Sequence, residues 1–509
     1  MRLRFLLPAA LLAPLFFAPG ANAQDDIGWR ISPEHINIQV GEERRLQLLD
    51  DSAKELHGAT WAVDALSLAE LQEQDGYMVL RALAEGTVRV SATIGTQTRY
   101  REIEIWPLSE QLPPGTTRWG VHPVGREIRD LAAVPTPSGP NQYSLEQAPD
   151  FTTYLRANDT DGIQMWRWTM PEKTADAELV CGDWLGGALL SANRSSSFTL
   201  YAVGSDGKTR WQHEIPGFRR GHSISLKHQV FILSQLSDGT AARLTVFNEQ
   251  SGETEFQLPI PPSHETEFTI APDGTRAPCA TRTLPATVSR VSVNMDGFTY
   301  LAFTKSERTE RVPACGSASS SLHSSTDELI VWQVHPDGTL RSTVAISNSA
   351  NQPSGASIYA SPTGEIITDN NYGLLMSVRT AHPLNSTSKP QPADEFVYRL
   401  DPDGNVLFSI AMPKYTGALH DEMVIGQDNI AFATRGGLVI AFDLTHGKDL
   451  WHWDSGTNDV TVFAALANGD VLVQTRAALV EVHDADNARE LMQGKFIMDW
   501  QGHLYRQHD

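Results

Sequence analysis

The sequence predicts an all-β chain whose larger part is a β-propeller of about seven four-stranded blades. Glycine and proline are frequent, with 38 and 29 copies in 509 residues, and polar and apolar residues alternate over many short segments. Such a period of two is typical of strands with one buried face. In addition, a turn motif recurs at intervals of 43 to 45 residues, which is the length of one propeller blade.

The first residues have the pattern of a signal peptide. Arg2 and Arg4 precede an apolar run that contains prolines, and the triplet Ala-Asn-Ala ends at Ala23, as at a cleavage site. We predict that residues 1–23 are removed near Ala23 and that the mature chain is secreted, to the periplasm or to the cell surface. We expect no membrane span, because no segment reaches the roughly 20 apolar residues of a spanning helix.

The charge and the cysteines limit the partners and the compartment. The formal net charge is −21 and no basic tract occurs, so nucleic acid is not expected as a partner, since its binding needs clustered lysine and arginine. Three cysteines are present, at positions 181, 279 and 315. An oxidising compartment allows one disulfide, and we predict that Cys279 pairs with Cys315, because both lie in long insertions described below.

Residues 24–107 contain about seven short strands separated by turn residues, as a two-sheet sandwich requires. The segment resembles the bacterial immunoglobulin-like repeats of surface proteins in Trp61-Ala62-Val63, in the Asp75-Gly76 turn and in the Gly86-Thr87-Val88 run. The resemblance implies a spacer domain without chemistry. We expect Trp61 in the core between the sheets rather than in a sugar-stacking role. Residues 108–125 are predicted to be a linker.

The turn motif places an aromatic residue four positions after a turn glycine. The five complete copies are Gly162 with Trp166, Gly207 with Trp211, Gly252 with Phe256, Gly404 with Phe408, and Gly447 with Trp451. A sixth copy, at Gly338, has Ser342 in the aromatic place, and a degenerate seventh has Asn487 in the glycine place. The glycine tolerates the positive φ of a tight hairpin. We expect the aromatic ring to fill the wedge between neighbouring blades.

The segment from Ala441 to Trp451 resembles the tryptophan-docking repeat of pyrroloquinoline-quinone-like propellers, and this resemblance spans residues 126–509. Quinoprotein dehydrogenases of that family hold their cofactor with calcium and an aspartate base, and many have a disulfide between adjacent cysteines. This chain has no adjacent cysteines, and none of its residues can be matched to their calcium ligands. We therefore expect no catalytic residue, no metal and no cofactor, and we predict a protein that is not an enzyme.

Two Asp-x-Asp-Gly turns, at 159–162 and 401–404, are interpreted as hairpins rather than calcium loops, because the later bidentate glutamate is missing. The residues 495–505 are predicted to complete the first blade. A quinoprotein-type dehydrogenase or cofactor carrier that uses the central channel remains the alternative function. An outer-membrane assembly scaffold is a further alternative, although the chain lacks a lipid-attachment cysteine.

Three insertions exceed normal blade loops, namely Pro261–Pro285, Ser306–Asp327 and Arg379–Glu395. Their positions in the repeat place them on one face of the propeller. Long loops on a rigid scaffold are a usual place for recognition, although they are equally well explained as disordered decoration. We predict that this face binds a protein, peptide or glycan partner.

Overall fold

The computed structural model describes residues 28–108, 119–120, 126–133, 140, 142–236, 241–284, 286–294, 296–317, 321–351, 359–368, 373–381, 394–413, 423–426, 429–457, 460–498 and 504–507. The predicted signal peptide and most of the predicted linker lie outside these residues. The described residues form strands and turns without an α-helix, which confirms the all-β prediction. Among them, no helix has the length and apolar character that a membrane crossing needs.

The strands divide into two compact units, one built on β1–β10 and the other on β11–β43. The strands of the first unit are β1 (Trp29–Ser32), β2 (His35–Gln39), β3 (Glu43–Asp50), β4 (Glu55–Leu56), β5 (Thr60–Val63), β6 (Ala69–Gln74), β7 (Tyr77–Ala82), β8 (Gly86–Ile94), β9 (Gln97–Trp106) and β10 (Trp119–Gly120). They form two sheets, ordered β1-β3-β7-β6 with β4 beside β3, and β10-β2-β9-β8-β5.

The two sheets of the first unit share one apolar core. Leu46 and Leu80 come from one sheet, and Ile38 and Val90 come from the other, and all four are buried. The side chains alternate along each strand, so every second residue of a strand faces this core. Trp61 is half-buried and packs against the same cluster. The unit is therefore a two-sheet β-structure, and Trp61 packs at the margin of its core.

The second unit is a β-propeller built from successive antiparallel sheets. Its strands are β11 (Glu127–Ala133), β12 (Gln142–Gln147), β13 (Thr153–Asn158), β14 (Gln164–Thr169), β15 (Ala177–Gly182), β16 (Ala188–Asn193), β17 (Ser197–Val203), β18 (Thr209–Pro216), β19 (Phe218–Ser225), β20 (Gln229–Gln235), β21 (Ala242–Asn248), β22 (Thr254–Ile260), β23 (Ser263–Ile270), β24 (Arg276–Leu284), β25 (Thr287–Val288), β26 (Ser292–Val293), β27 (Thr299–Arg311), β28 (Ser321–Val334), β29 (Leu340–Asn351), β30 (Tyr359–Thr368), β31 (Leu374–Ala381), β32 (Asp394–Leu400), β33 (Val406–Ala411), β34 (Met423–Ile425), β35 (Ile430–Arg435), β36 (Leu438–Asp443), β37 (Lys448–Asp454), β38 (Val460–Ala465), β39 (Val471–Thr475), β40 (Ala478–Val482), β41 (Ala488–Gln493), β42 (Lys495–Met498) and β43 (Leu504–Gln507).

Six of these sheets are four-stranded meanders, and we number the blades in chain order. Blades 1, 2 and 3 are β11–β14, β15–β18 and β19–β22, and blades 5, 6 and 7 are β30–β33, β34–β37 and β38–β41. Blade 4 is the larger sheet, β24-β23-β27-β28-β29, in which β25 and β26 also pair with β27. Apolar residues of each blade pack against the next, as Leu179 of blade 2 does against Leu155 of blade 1 in one cluster.

A buried charge triad lies inside blade 1. Glu146 is fully buried, and one of its oxygens lies 3.1 Å from Nε of Arg126 while the other pairs with Arg156. Both guanidiniums are almost completely buried as well. Removing one partner from such an arrangement leaves an uncompensated charge in a medium of low dielectric constant. The triad therefore ties β12 to β13 and to the residue that precedes β11.

Two of the three insertions form strands rather than loops, which corrects the sequence-based expectation. Residues 263–284 form the hairpin β23–β24, and β23 pairs in parallel with the far half of β27, His264 opposite Glu307. The second insertion extends β27 and β28 into a long hairpin. The polar strand β23 is paired on both sides, with β24 and with β27, so its backbone groups find ladder partners. Of the third insertion, residues 382–393 lie outside the described part of the chain.

The carboxyl-terminal strands do not complete the first blade, so that prediction is wrong. Blade 1 has four strands of its own, β11–β14, and β42 and β43 form a separate two-stranded sheet. This sheet contacts β11 and β40, and it therefore lies between blade 7 and blade 1. The place beside β12 is already taken by β11, since Glu127–Ala133 pairs with that strand over its whole length.

Candidate functional site

In four of the five complete repeats, the aromatic residue lies against the turn glycine of the next blade. A Cβ atom added to Gly207 would stand 2.8 Å from Cδ2 of Trp166, and one added to Gly252 would stand 2.5 Å from Cγ of Trp211. Gly447 has the same relation to Phe408, at 2.9 Å. All these glycines have a positive φ, between 63° and 75°. The absence of a side chain thus allows the positive φ of the hairpin and leaves room for the aromatic ring that covers it.

A β-bulge directly after the hairpin accompanies the aromatic in every complete copy. The register shifts between Ala202 and Val203 opposite Trp211, for example, and corresponding shifts occur in blades 1, 3, 5 and 6. Such a bulge moves the following side chain to the other face of the strand. The remaining repeat residues take the same places: Gly162 has φ 76° and precedes Trp166, Phe256 covers Gly338, Gly404 has φ 83°, and Trp451 follows the turn at Gly447.

In the two incomplete copies the bulge lies further from the hairpin, at Leu329/Ile330 in blade 4 and at Leu479/Val480 in blade 7. The pairing next to the turn changes accordingly. In blade 4, Thr343 rather than Ser342 faces the next turn, with its Cβ 3.1 Å from a Cβ placed on Gly404. In blade 7, the turn closes through His483 N to Asn487 O, as Gly204 N bonds to Lys208 O. Asn487 therefore corresponds to the residue after the glycine and not to the glycine itself.

Cys279 and Cys315 form a disulfide, with their Cα atoms 5.2 Å apart. Cys279 belongs to β24, and Cys315 lies in the turn that joins β27 to β28. The bond links two hairpins that project from blade 4. Cys181 is a free, half-buried thiol on β15, and burial raises its pKa far above the usual range.

A cavity of about 1020 Å³ opens among the first strands of several blades, where a propeller has its central channel. It is lined by β11, by the starts of β15 and β19, by the β16–β17 turn, by β26 next to the turn into β27, and by the end of β30. Strand alternation places the starts of first strands and the turns between second and third strands on one side of a blade. The β22–β23 connection and the β27–β28 turn lie on this same side. We call the cavity the channel mouth.

Arginine dominates the charged lining of the channel mouth. Its arginines are Arg129, Arg194, Arg219, Arg220 and Arg290. Two carboxylates, those of Asp176 and Glu178, also line it. Arg129, Arg194 and Arg219 are ion-paired, with Glu127, Glu172 and Glu178 respectively. Arg220 instead donates to a neutral amide and is exposed, so it keeps a positive charge that can attract an anionic ligand.

Several of these arginines are held in place by hydrogen bonds. Arg219 pairs with Glu178 across β15 and β19, and Nε of Arg220 donates to Oε1 of Gln235 over 2.8 Å. Nη2 of Arg194 lies 2.5 Å from Oε1 of Glu172. A guanidinium that is already oriented loses less conformational entropy when it binds a ligand.

His222 reports the electrostatics of the site. Arg219 donates through Nη1 to Nδ1 of this histidine over 3.0 Å, so that nitrogen is unprotonated. Burial and, to a smaller extent, the charges of Arg219 and Arg290 lower the pKa of His222 to about 4, against the opposing effect of Glu178. The imidazole is therefore neutral at neutral pH, and it serves there as a hydrogen-bonding group rather than as an additional charge.

A second polar cluster lies at the opposite ends of the first strands of blades 2 and 3. Asp183 accepts a hydrogen bond from Gly187 N at 2.6 Å and pairs with Arg210. Glu249 accepts from His228 Nδ1 at 2.6 Å and from the amide of residue 184 at 2.8 Å. Burial raises the pKa of both carboxyl groups. These bonds fix the β15–β16 and β21–β22 turns, and we interpret the cluster as structural.

The aspartate turns are hydrogen-bonded hairpins in the structure. Oδ1 of Asp401 accepts from the amide of Asp403 at 2.9 Å and from that of Asn405 at 2.8 Å. The carboxylate thus caps the turn that contains Gly404. Within the described part of the chain, no group of three or more histidine, cysteine or acidic side chains is placed to hold a metal ion.

No protein-family model and no curated protein matches the chain. Solved structures with similar strand arrangements are propellers of different kinds. The Dos1 propeller is 10% identical, with 90% of this chain and 95% of that chain covered and a TM-score of 0.40. A quinonprotein alcohol dehydrogenase-like protein of Bacteroides thetaiotaomicron is 9% identical, with coverages of 74% and 94% and a TM-score of 0.26.

A catalytically inactive form of virginiamycin B lyase from Staphylococcus aureus, solved with quinupristin, is also 9% identical, with coverages of 65% and 87% and a TM-score of 0.33. These likenesses concern the fold alone. Their functions differ from one another, and none is transferred to this chain.

Sequence reasoning missed the channel mouth. Its arginines are spread from residue 129 to residue 290, and only the adjacent pair Arg219-Arg220 is visible as a local signal. The ring arrangement gathers the start of one first strand after another, so residues that are one blade apart in sequence become neighbours. A search at the blade period for basic residues at the start of first strands would have found part of the site.

Proposed function

We propose that this chain is a secreted, non-catalytic propeller that binds a protein partner through the channel mouth and the neighbouring hairpins of blade 4. The observation that carries the proposal is the arginine-lined cavity of about 1020 Å³, whose part at the starts of β15 and β19 lies on the side of those hairpins. Cavities of several hundred Å³ with a few oriented polar groups are the usual form of a binding site. We further propose that the first unit is an immunoglobulin-like spacer.

The arrangement around the cavity supports recognition by a prepared surface. The disulfide between Cys279 and Cys315 ties β24 to the β27–β28 turn, and β23 is built into the sheet of blade 4 by its pairing with β27. These hairpins therefore cannot move independently of the blade. A partner that binds beside them loses less entropy in ordering the surface.

Secretion is proposed on the pattern of residues 1–23 and is in keeping with the disulfide, because such bonds persist in oxidising compartments. It is tested by expressing the full chain with a carboxyl-terminal tag in a Gram-negative host and sequencing the amino terminus of the extracytoplasmic product. A mature terminus at Gln24 is expected. Retention of the tagged chain in the cytoplasm would contradict the proposal.

Partner binding is tested by site-specific photocrosslinking in the source cells. A photoreactive phenylalanine derivative replaces Thr281, which is exposed on β24, or Lys208, which is exposed in the β17–β18 turn on the opposite side of the blades. A discrete crosslinked product is expected from position 281 and not from position 208. Equal products from both positions, or a product from position 208 alone, would reject the looped face as the binding surface.

The quinoprotein alternative needs its own measurement. The purified mature chain is incubated with pyrroloquinoline quinone and calcium, and dye-linked oxidation of primary alcohols is followed against a boiled sample. We expect no rate above the boiled control. Clear turnover would reject the non-catalytic part of the proposal, whatever the crosslinking shows.

A further inference from the structure

The lining of the channel mouth combines guanidinium groups with apolar side chains. Phe218 lines it with 41% of its surface exposed. Val293 lines it from the end of the inner strand of blade 4, next to the turn into β27, and Ile367 lines it from β30; both are partly exposed. Val291 and Ile366 also border the cavity but are buried in the cores of the blades. A ligand that fills this space meets cations and apolar groups side by side.

This combination discriminates between classes of ligand. Guanidinium forks bind carboxylates through paired N–H donors, and clusters of arginine are a recurrent means of recognising acidic peptide motifs. The apolar groups of Phe218, Val293 and Ile367, which are at least partly exposed, offer no hydrogen bonds to a hydroxylated sugar, whereas they suit apolar amino-acid side chains. The lining therefore favours an acidic peptide over an acidic glycan.

The arginines are also distributed rather than focused on one point. They come from β11, from the β16–β17 turn, from β19 and from the residues before β26. A single anion could not contact groups on so many elements of a cavity of about 1020 Å³. Several carboxylates along an extended chain could do so.

We infer that the channel mouth binds an extended peptide segment in which acidic side chains pair with Arg220, Arg290 and their neighbours, while apolar side chains pack on Phe218 and the aliphatic lining. This inference rests on the proposed function and names the chemistry of the partner segment. Arg220 and Arg290 are both exposed. The first is oriented by the neutral amide of Gln235, and the charge of the second reaches His222.

The binding experiment compares two pools of fluorescein-labelled octapeptides on the mature chain by fluorescence anisotropy. Each position of the acidic pool is Asp, Glu, Leu or Phe, and the matched pool has Asn and Gln in place of Asp and Glu. We expect the acidic pool to bind at least roughly tenfold more tightly, as charge-assisted hydrogen bonds imply. Added salt should weaken the acidic pool selectively.

Variants locate the binding. Arg220→Gln and Arg290→Gln should each weaken the acidic pool by roughly three- to tenfold, the range for partly exposed charge pairs. The matched control is Arg243→Gln, because Arg243 is an exposed arginine of the same unit that also donates to a glutamine, Gln257, over 3.3 Å. It should bind like the parent protein.

An NMR titration of the imidazoles gives a second measurement on the same samples. Carboxylates bound beside Arg219 and Arg290 would favour the imidazolium form, so the pKa of His222 should rise when the acidic pool is added. The amide pool should leave it unchanged. A rise in the parent protein that persists in Arg290→Gln but disappears in Arg243→Gln would contradict the assigned location.

Three results would overturn the inference. The pools could bind equally, the variants at positions 220 and 290 could match the control, or an oligogalacturonate could bind where neither peptide pool does, which would indicate an acidic glycan. In each case a crosslinked product from position 281 alone would leave the proposed function intact. Loss of that product together with the peptide binding would reject both.

Discussion

Replacing Gly252 by alanine perturbs the contact that joins blade 2 to blade 3. The new Cβ would stand 2.5 Å from Cγ of Trp211 and 2.8 Å from its Cβ, well inside the range of real contacts. The ring cannot easily yield, because Trp211 is 7% exposed and its Nε1 donates to the carbonyl oxygen of Glu249 over 2.8 Å. The backbone of Gly252 has φ 73°, which alanine adopts only under strain.

Two separable costs follow from this geometry. An L-residue in the left-handed region costs about 1–2 kcal/mol. Forcing an extra carbon against a buried ring costs about 1–3 kcal/mol through displaced neighbours. The expected loss for Gly252→Ala is therefore about 2–5 kcal/mol in the free energy of unfolding.

The control is Gly469→Ala, in the β38–β39 turn of blade 7. Gly469 has φ 91°, and a Cβ added there meets no atom within 4 Å. Gly469→Ala therefore has the free-energy cost of a left-handed backbone but not the cost of crowding a buried ring. Urea unfolding of both variants, followed by intrinsic fluorescence and circular dichroism, should show an excess loss of about 1–3 kcal/mol at position 252.

Equal losses at positions 252 and 469 would refute the packing argument. A further comparison uses Trp211→Leu, which removes the ring that the new Cβ would strike. In that background the excess cost of Gly252→Ala should largely disappear, as a coupling between contacting residues. If the excess persists, it arises from the turn itself and not from the covering ring.

Three further outcomes are expected. Replacing both Cys279 and Cys315 by serine should lower stability by about 3–4 kcal/mol, the chain-entropy value for a separation of 36 residues; limited proteolysis should then cut first between β23 and β28, and an unchanged unfolding midpoint and digest would contradict this. The pKa of His222 should be about 4 instead of 6.5. Since the unfolded chain then takes up a proton that the folded chain refuses, stability should fall as the pH drops from about 6.5 through about 4, and NMR titration should show a higher value in Arg290→Gln. Glu146→Gln should cost about 3–5 kcal/mol in the free energy of unfolding, because two buried guanidiniums lose their counter-charge; a loss under about 1 kcal/mol, the scale of an exposed pair, would show that the triad is hydrated.

Much of the propeller was predictable because the hairpin between the third and fourth strands has the same geometry in five of the blades. A turn with positive φ and a bulge that follows it need glycine and then an aromatic at fixed spacing, so Gly207-to-Trp211 and Gly447-to-Trp451 are visible in the letters alone. The exceptions were less visible. In blade 4 the bulge lies further from the turn, so the residue that meets Gly404 is Thr343, one position later. No local sequence pattern indicates where the bulge will fall.

The insertions show where local reasoning fails. The segment around Cys279 is polar and rich in turn residues, which favours a loop. Its strands form because β23 pairs with the open edge of β27. The paired residues, for example His264 and Glu307, are 43 positions apart in the sequence. The channel mouth was hidden for the same reason, since Arg194 and Arg290 line one cavity only when the blades are arranged in a ring.

The contact between a turn glycine and the aromatic ring that covers it bears on how a propeller of this type can gain or lose blades. The contact between blades 1 and 2, Trp166 on Gly207, is equivalent to the contact between blades 2 and 3, Trp211 on Gly252. If one such repeat unit is duplicated or lost, a tryptophan again packs on an equivalent turn glycine, and no new kind of blade contact arises. Between blades 4 and 5 the contact is of another type, with Thr343 against Gly404. An exchange of repeat units there would therefore place a different side chain against that glycine.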